Sequence, residues 1–268
     1  MFHHDKGPYG APPAGQRGDT GMPRILAAWR RKRQLFADAI VDNIKPHQCL
    51  LCLGRSTRHC LCPDCLADLP WLGRACAGCA LPLADPADDS GADHCADCRR
   101  EPPPWRQAGA LFRYEFPLDR LVAALKYHGR LALAATFASL MADQCPPGAM
   151  PDLLLPVPLH PRRLRQRGYH QTALLATAMA RRLGARADCH GLVRLRDTAM
   201  QKTLDSEARL ANLRDVFAWR GGSLAGRRVM LIDDVMTTGA TLRALCPGLL
   251  AAGAASVDVM VVARTLPP

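Results

Sequence analysis

No stretch of the 268-residue chain comes near the apolar length of a membrane-spanning helix, because Arg, Lys or Asp breaks every apolar run. A helical span needs roughly 18 such residues, so none is expected. The N-terminus carries His3, His4 and Asp5 where a secretory signal would need an apolar core and a small-residue cleavage site, so export is not expected and a reducing, cytoplasmic setting is. Several active-site signatures are missing too. There is no Gly-x4-Gly-Lys-Ser/Thr, no Gly-x-Gly-x-x-Gly and no His-Glu-x-x-His, and Gly221-Gly-Ser223-Leu-Ala225 lacks the last glycine of a nucleophile elbow. Aromatic residues are scarce at 5%, and acidic residues number 24 against 35 basic ones.

What remains is rich in apolar side chains. A hydrophobic content of 49% excludes a disordered chain, and the length accommodates one large or two small domains. The charge is uneven: residues 49–105 hold 5 basic and 8 acidic residues, whereas residues 151–228 hold 15 and 6. Residues 1–23, rich in Gly and Pro, read as a disordered tail, and residues 24–46 as a basic amphipathic helix. That helix suits docking; a nucleic-acid or membrane-surface arm is the sharper alternative. Residues 47–105 form a Cys-rich module and residues 106–268 a second domain. In the latter, strands expected at Ala110–Tyr114, Leu153–Val157, Val229–Ile232 and Val257–Ala263 alternate with helices at Leu118–Tyr127, Leu131–Gln144, Thr172–Leu183 and Thr241–Ala252. Such alternation predicts an α/β fold, a parallel sheet with helices on both faces.

Eight of the 12 cysteines form four Cys-x-x-Cys pairs: Cys49 with Cys52, Cys62 with Cys65, Cys76 with Cys79, and Cys95 with Cys98. Each turn presents two thiolates to one ion, and two turns complete a closed tetrahedral site suited to structural Zn²⁺. A disulfide framework conflicts with a reducing compartment, and the dense Cys-x2-Cys-x2-Cys run of ferredoxin-type clusters is missing. Spacing alone leaves the pairing scheme open, and with it whether there are one or two zinc sites. It also leaves open whether Cys60 replaces Cys62 and whether His47, His59 or His94 substitutes for a thiolate. Cys145, Cys189 and Cys246 read as small buried apolar residues.

The segment Val229-Met-Leu-Ile-Asp-Asp-Val-Met-Thr-Thr-Gly-Ala-Thr241 places an apolar strand before two carboxylates and a hydroxyl-rich loop that enters a helix. In open α/β sheets ligands bind at that edge. Successive backbone N–H groups, the hydroxyls of Thr237, Thr238 and Thr241, and a helix N-terminus suit a phosphate monoester. Asp233 and Asp234 would repel that phosphate but suit the neighbouring hydroxyls of a sugar. Together they describe a ribose 5-phosphate.

This segment resembles the phosphoribosyl-pyrophosphate (PRPP) motif of type I phosphoribosyltransferases. The wider chain resembles the ComF family, in which a Cys-rich zinc finger precedes such a domain. The carrying residues are Cys49-Leu-Leu-Cys52, Leu69-Pro70, Leu125-Lys126-Tyr-His-Gly129, Pro156-Val-Pro-Leu-His160, Arg165-Gln-Arg-Gly-Tyr-His-Gln171, Thr198-Ala-Met-Gln201, Glu207-Ala-Arg209-Leu-Ala-Asn212 and the PRPP motif itself. His170 departs from the Asn more frequent in the family. The resemblance implies that Asp233 and Asp234 bind the ribose hydroxyls and that Val235, Met236, Thr237, Thr238, Gly239, Ala240 and Thr241 wrap the 5-phosphate. It also implies a pyrophosphate-facing loop with Leu159, His160, Arg162 and Arg163, a closing loop with Lys202 and Arg209, and Mg²⁺ accompanying PRPP. The implied reaction is displacement of pyrophosphate from C1 of the sugar. A second expectation follows from the family's association with uptake of transforming DNA. Arg162-Arg-Leu-Arg-Gln-Arg167 with Tyr169 would track single-stranded DNA and stack a base without turnover, alongside the DNA-uptake machinery.

Overall fold

The structure is a computed structural model describing residues 48–56, 60–83, 93–145, 150–195 and 216–267. The tail expected over residues 1–23, the helix expected over 24–46, and His47, His59, Lys202 and Arg209 lie outside the described residues.

Near-continuous apolar, β-branched runs make strands that are buried on both faces, the signature of a parallel sheet. β6 (Arg228–Met236) and β7 (Ser256–Arg264) are such strands, and they lie at the centre. β1 (Gln107–Arg113), β2 (Leu153–Pro156) and β3 (Arg186–Ala187) complete a five-stranded sheet in the order β1-β7-β6-β2-β3, with every pair parallel. A short antiparallel hairpin, β4 (Leu192–Arg194) and β5 (Phe217–Trp219), stands apart.

Helical spacing of apolar residues decides what covers each face. Leu118, Leu121, Val122 and Leu125 are the buried stripe of α3 (Leu118–Tyr127). With α4 (Ala132–Asp143) and α6 (Gln171–Leu183) this stripe fills one face around Phe112 and Phe137. On the other face, Leu242, Leu245, Cys246 and Leu249 of α7 (Ala240–Ala251) pack on Val229, Leu231, Val257 and Val259. Among the described residues no helix is long and apolar enough to cross a membrane.

The Cys-rich segment, which carries α1 (Pro63–Ala67) and α2 (Ala96–Arg100), shares the first core. Cys60, Leu61 and Leu69 are buried with Phe112 and Phe137, and the Trp71 and Phe112 rings lie 4.5 Å apart. The backbone joins β1 as well. The Leu72 N–H donates to the Leu111 carbonyl (2.9 Å), the Arg113 N–H to the Pro70 carbonyl (2.8 Å) and the Ala108 N–H to the Ala77 carbonyl (2.6 Å).

Two local expectations change. β6 runs four residues beyond Ile232, so Asp233 and Asp234 lie within the strand and the connection to α7 shrinks to Thr237–Gly239. Pairing to β7 through Val235 and Met236 drives that extension. The stretch around Pro158–Arg163 is not all loop. Pro161 opens α5 (Pro161–Arg167), and the His160 ring caps it by accepting from the Arg162 N–H at 3.2 Å.

Candidate functional site

Two four-cysteine clusters that could hold a metal ion are assembled in sequential pairing. In each of the groups Cys49, Cys52, Cys62, Cys65 and Cys76, Cys79, Cys95, Cys98 the sulphur atoms all lie within 4.8 Å of one another. Four thiolates held about 2.3 Å from Zn²⁺ at tetrahedral angles would stand roughly 3.8 Å apart. The Cys52–Cys62 and Cys79–Cys95 sulphur separations, 3.6 and 3.7 Å, fit that ion. Backbone N–H groups already point at the sulphurs: Gly54 to Cys52, Cys65 to Cys62, and both Gly78 and Cys95 to Cys76, at 3.2–3.4 Å. Burial opposes ionisation of Cys49 and Cys76, yet backbone N–H groups, those of Cys52, Cys62 and Leu51 at Cys49 and of Cys95, Cys79 and Gly78 at Cys76, bring the thiols down to about 6 and about 7. Cys60 stays out of the first cluster, because it turns into the core, where its sulphur lies 3.2 Å from the Thr136 hydroxyl of α4. His94 belongs to neither cluster. Of the lone cysteines, Cys246 is buried, whereas Cys145 and Cys189 are only half-buried.

At the C-terminal edge of the sheet, the two carboxylates of β6 have different surroundings. Asp234 is 5% exposed and accepts from the Lys126 ammonium (2.8 Å) on one oxygen and from the Gln171 amide (2.9 Å) on the other. Burial alone would lower the Lys126 pKa, but the charge of Asp234 overrides it and raises it. Asp233 is half-buried, and one of its oxygens accepts the Asp234 N–H at 2.8 Å. Lost hydration, reinforced by the charge of Asp234, pushes the Asp233 pKa up to about 8.

The connection that follows is short and fixed. Gly239 has φ +76°, a left-handed conformation that a Cβ disfavours. A Cβ there would also meet the Met236 methyl at 2.9 Å and the Trp105 ring at 3.4 Å. The Thr238 hydroxyl accepts the Ala240 N–H at 3.3 Å, turning the chain into α7. Val235 and Met236 are strand residues, and Met236 is buried.

β2 brings the second expected segment alongside, since Pro156 pairs with Ile232 and the Val157 N–H donates to the Ile232 carbonyl at 2.9 Å. Leu159 and His160 are half-buried, Arg162 is exposed and Arg163 half-buried. The Val157 carbonyl is held by the Thr172 hydroxyl at 2.9 Å and lies 3.1 Å from the His170 ring nitrogen. His170 therefore braces the loop root, and burial lowers its pKa. Tyr169, expected as a stacking platform, is half-buried. Its hydroxyl donates to the Leu125 carbonyl (2.5 Å) and accepts from the Gly129 N–H (3.2 Å), which locks the ring to the end of α3. The exposed aromatic here is Tyr127, with the Arg167 guanidinium 5.0 Å from its ring centroid.

Comparison with known proteins agrees with the fold. The phosphoribosyl transferase domain family matches residues 172–266. DNA utilization protein YhgH of Salmonella typhimurium is 34% identical over 229 residues, which cover 82% of this chain and 98% of that protein. The chain belongs to the ComF family. Two further relatives are Competence protein F of Haemophilus influenzae, 28% identical over 83% of this chain and 99% of that protein, and Competence protein ComFC of Bacillus subtilis, 28% identical over 76% and 84%.

Three residues of this ComF chain reach the site without a role assigned from sequence. Lys126 and Gln171 sit in segments that carry the family resemblance, but nothing in a sequence pairs an α3 lysine with a β6 carboxylate. Arg264 gives a weaker signal, a single charge ending an apolar strand, yet its guanidinium donates to the carbonyls of Cys79, Met236, Thr237 and Thr265.

Proposed function

We propose that this ComF-family chain binds PRPP or a related ribose 5-phosphate ligand at the C-terminal end of β6 and transfers the phosphoribosyl group with release of pyrophosphate. One observation carries the reading: a braced pair of carboxylates ends a central parallel strand, and a three-residue connection through a left-handed glycine leads straight into α7. Asp233, whose partner is only a backbone N–H, is the free acceptor for the ribose hydroxyls, and Asp234 joins it while anchored by Lys126 and Gln171. The amides and hydroxyls of Thr237–Thr241 and the N-terminus of α7 receive the 5-phosphate. Arg162 and Arg163 offset pyrophosphate charge, and Mg²⁺ brought with PRPP would share that charge. Lys202 and Arg209 belong to the closing loop of this reading. Departure of pyrophosphate leaves an oxocarbenium-like sugar, so the protein's contribution is positioning and electrostatic stabilisation of the leaving group.

The test is thermal shift with PRPP and Mg²⁺ beside pyrophosphate release in the presence of nucleobases or ammonia. A shift that Asp233→Ala plus Asp234→Ala abolishes supports the pocket; no shift in the wild type removes it. Pyrophosphate release separates turnover from binding.

A second reading, single-stranded DNA binding in DNA uptake, is favoured by the exposed Tyr127 with Arg167 over its ring beside the Arg-rich α5, and by relatives named for competence and DNA utilization. Salt-sensitive affinity for single strands that survives the double Asp substitution but falls with Arg163, Arg165 and Arg167 all changed to Ala supports it.

A further inference from the structure

The turn between Cys76 and Cys79 is tied to the sheet by three successive carbonyls. Ala77 accepts from the Ala108 N–H of β1 (2.6 Å), Gly78 from the Trp105 indole (2.7 Å), and Cys79 from Arg264 Nε (2.8 Å). Two of these donors also touch the connection between β6 and α7. The Trp105 ring forms the wall facing the α-carbon of Gly239. Arg264, at the end of β7, uses Nη1 to hold the Met236 carbonyl at 3.1 Å and the Thr237 carbonyl at still closer range. A trans peptide points its N–H opposite to its carbonyl. Fixing those two carbonyls toward Arg264 therefore turns the N–H groups of Thr237 and Thr238 away from it, the arrangement an anion-binding loop needs.

Arg264 is 6% exposed, and no carboxylate among the described residues pairs with it. A buried cation without a counter-charge is costly. Negative charge reaches it from the second cluster, whose Cys79 and Cys98 sulphurs act on it electrostatically, and Zn²⁺ with four thiolates is formally a dianion. The fork geometry of the guanidinium lets one side chain address the metal site and the loop together. The first cluster has no such link among the described residues; the chain beside it is tied to α4 through Cys60, which is not one of its ligands, and Thr136.

We propose that Arg264 is a positioning residue that couples metal occupancy of the Cys76, Cys79, Cys95, Cys98 site to the ligand-holding state of the Thr237–Gly239 loop. The inference rests on the ribose 5-phosphate reading of that loop. A zinc-loaded second site keeps Arg264 in place and the loop carbonyls turned inward, and loss of that zinc releases both. By linkage the effect is reciprocal, so a ligand on the loop tightens the second site's hold on its zinc.

The experiment measures the equilibrium release of zinc from the full chain to a chromogenic chelator, with and without saturating ribose 5-phosphate and Mg²⁺, in the wild type and in Arg264→Lys. In the wild type, ligand should tighten retention of one of the two zinc equivalents by about fivefold or more, and Arg264→Lys should abolish that protection while retaining the charge. Cys95→Ser should raise the ribose 5-phosphate Kd by a similar factor of about five, whereas Cys52→Ser in the first site leaves it within about twofold. Should Cys95→Ser fail to fold, the wild-type release measurement still decides. Ligand-induced thermal shift with no protection of either zinc, or equal protection in Arg264→Lys, overturns the coupling alone. No thermal shift in the wild type removes the ligand reading and the coupling together.

Discussion

The ammonium of Lys126, at the end of α3, sits 2.8 Å from a carboxylate oxygen of Asp234 inside β6. The pair stands largely out of water, so the two partners are not equally dispensable. Lys126→Met leaves Asp234 a buried carboxylate with only Gln171 beside it, and should cost about 2–4 kcal/mol. Asp234→Asn with Lys126→Met should recover part of that loss. Urea unfolding of the two single variants and the double variant measures the coupling, and additive losses would show the contact to be idle.

Asp233 has the opposite sign of effect. Its folded pKa is raised from 3.8 to about 8, so the folded chain holds a proton that the unfolded chain has already lost. Stability therefore falls as pH rises from about 4 to about 8, and the penalty is complete above that. Asp233→Asn removes it, so the variant should be more stable than wild type: the whole shift would be worth roughly 5–6 kcal/mol, solvent screening of this half-buried group reduces that to roughly 1–2 kcal/mol at pH 9, and the gain should fade toward pH 4. Ligand-free melting across that range checks the slope, and a gain that grows toward acid pH would reverse the assignment.

Gly239→Ala should destabilise by about 1–2 kcal/mol, since the left-handed backbone and the Met236 methyl both oppose a Cβ. Its larger effect should fall on PRPP affinity, because the loop moves with it. A variant that melts lower but binds normally would separate the glycine from the ligand.

Zinc content distinguishes Cys60 from Cys62. Cys62→Ser should remove one of two zinc equivalents per chain, whereas Cys60→Ser keeps both and loses only core packing against Thr136. Metal analysis of the purified variants gives the answer directly, and loss of zinc from Cys60→Ser would return that thiol to the ligand set.

Tyr169→Phe removes the hydroxyl that joins the Leu125 carbonyl to the Gly129 N–H and should cost about 1 kcal/mol. Affinity for single-stranded DNA should instead depend on Tyr127. A DNA-binding loss with Tyr169→Phe that exceeds that of Tyr127→Ala would restore Tyr169 as the stacking surface.

Much of the architecture was legible because its signals are local. Leu118, Leu121, Val122 and Leu125 mark α3 to the residue, and the β-branched runs mark β6 and β7. The four Cys-x-x-Cys pairs announce a metal, but only the fold sends Cys62 to the cluster and Cys60 to α4. Where β6 ends depends on β7 beside it, so the apolar run alone marks the strand only to Ile232, with the carboxylates at its end, and pairing of Val235 and Met236 carries it on to Met236. α5 went unseen because it buries no apolar stripe. The contacts of Lys126, Gln171 and Arg264 join elements distant in sequence, and no periodicity encodes them.

β1 is the outermost strand on its side of the sheet, and residues 70–77 lie along its free edge through the Pro70, Leu72 and Ala77 backbone contacts. An uncovered edge of this kind is a template for pairing with another chain. The Cys-rich segment thus serves as an edge guard, and treatment with a zinc chelator should produce strand-mediated self-association before it produces global unfolding.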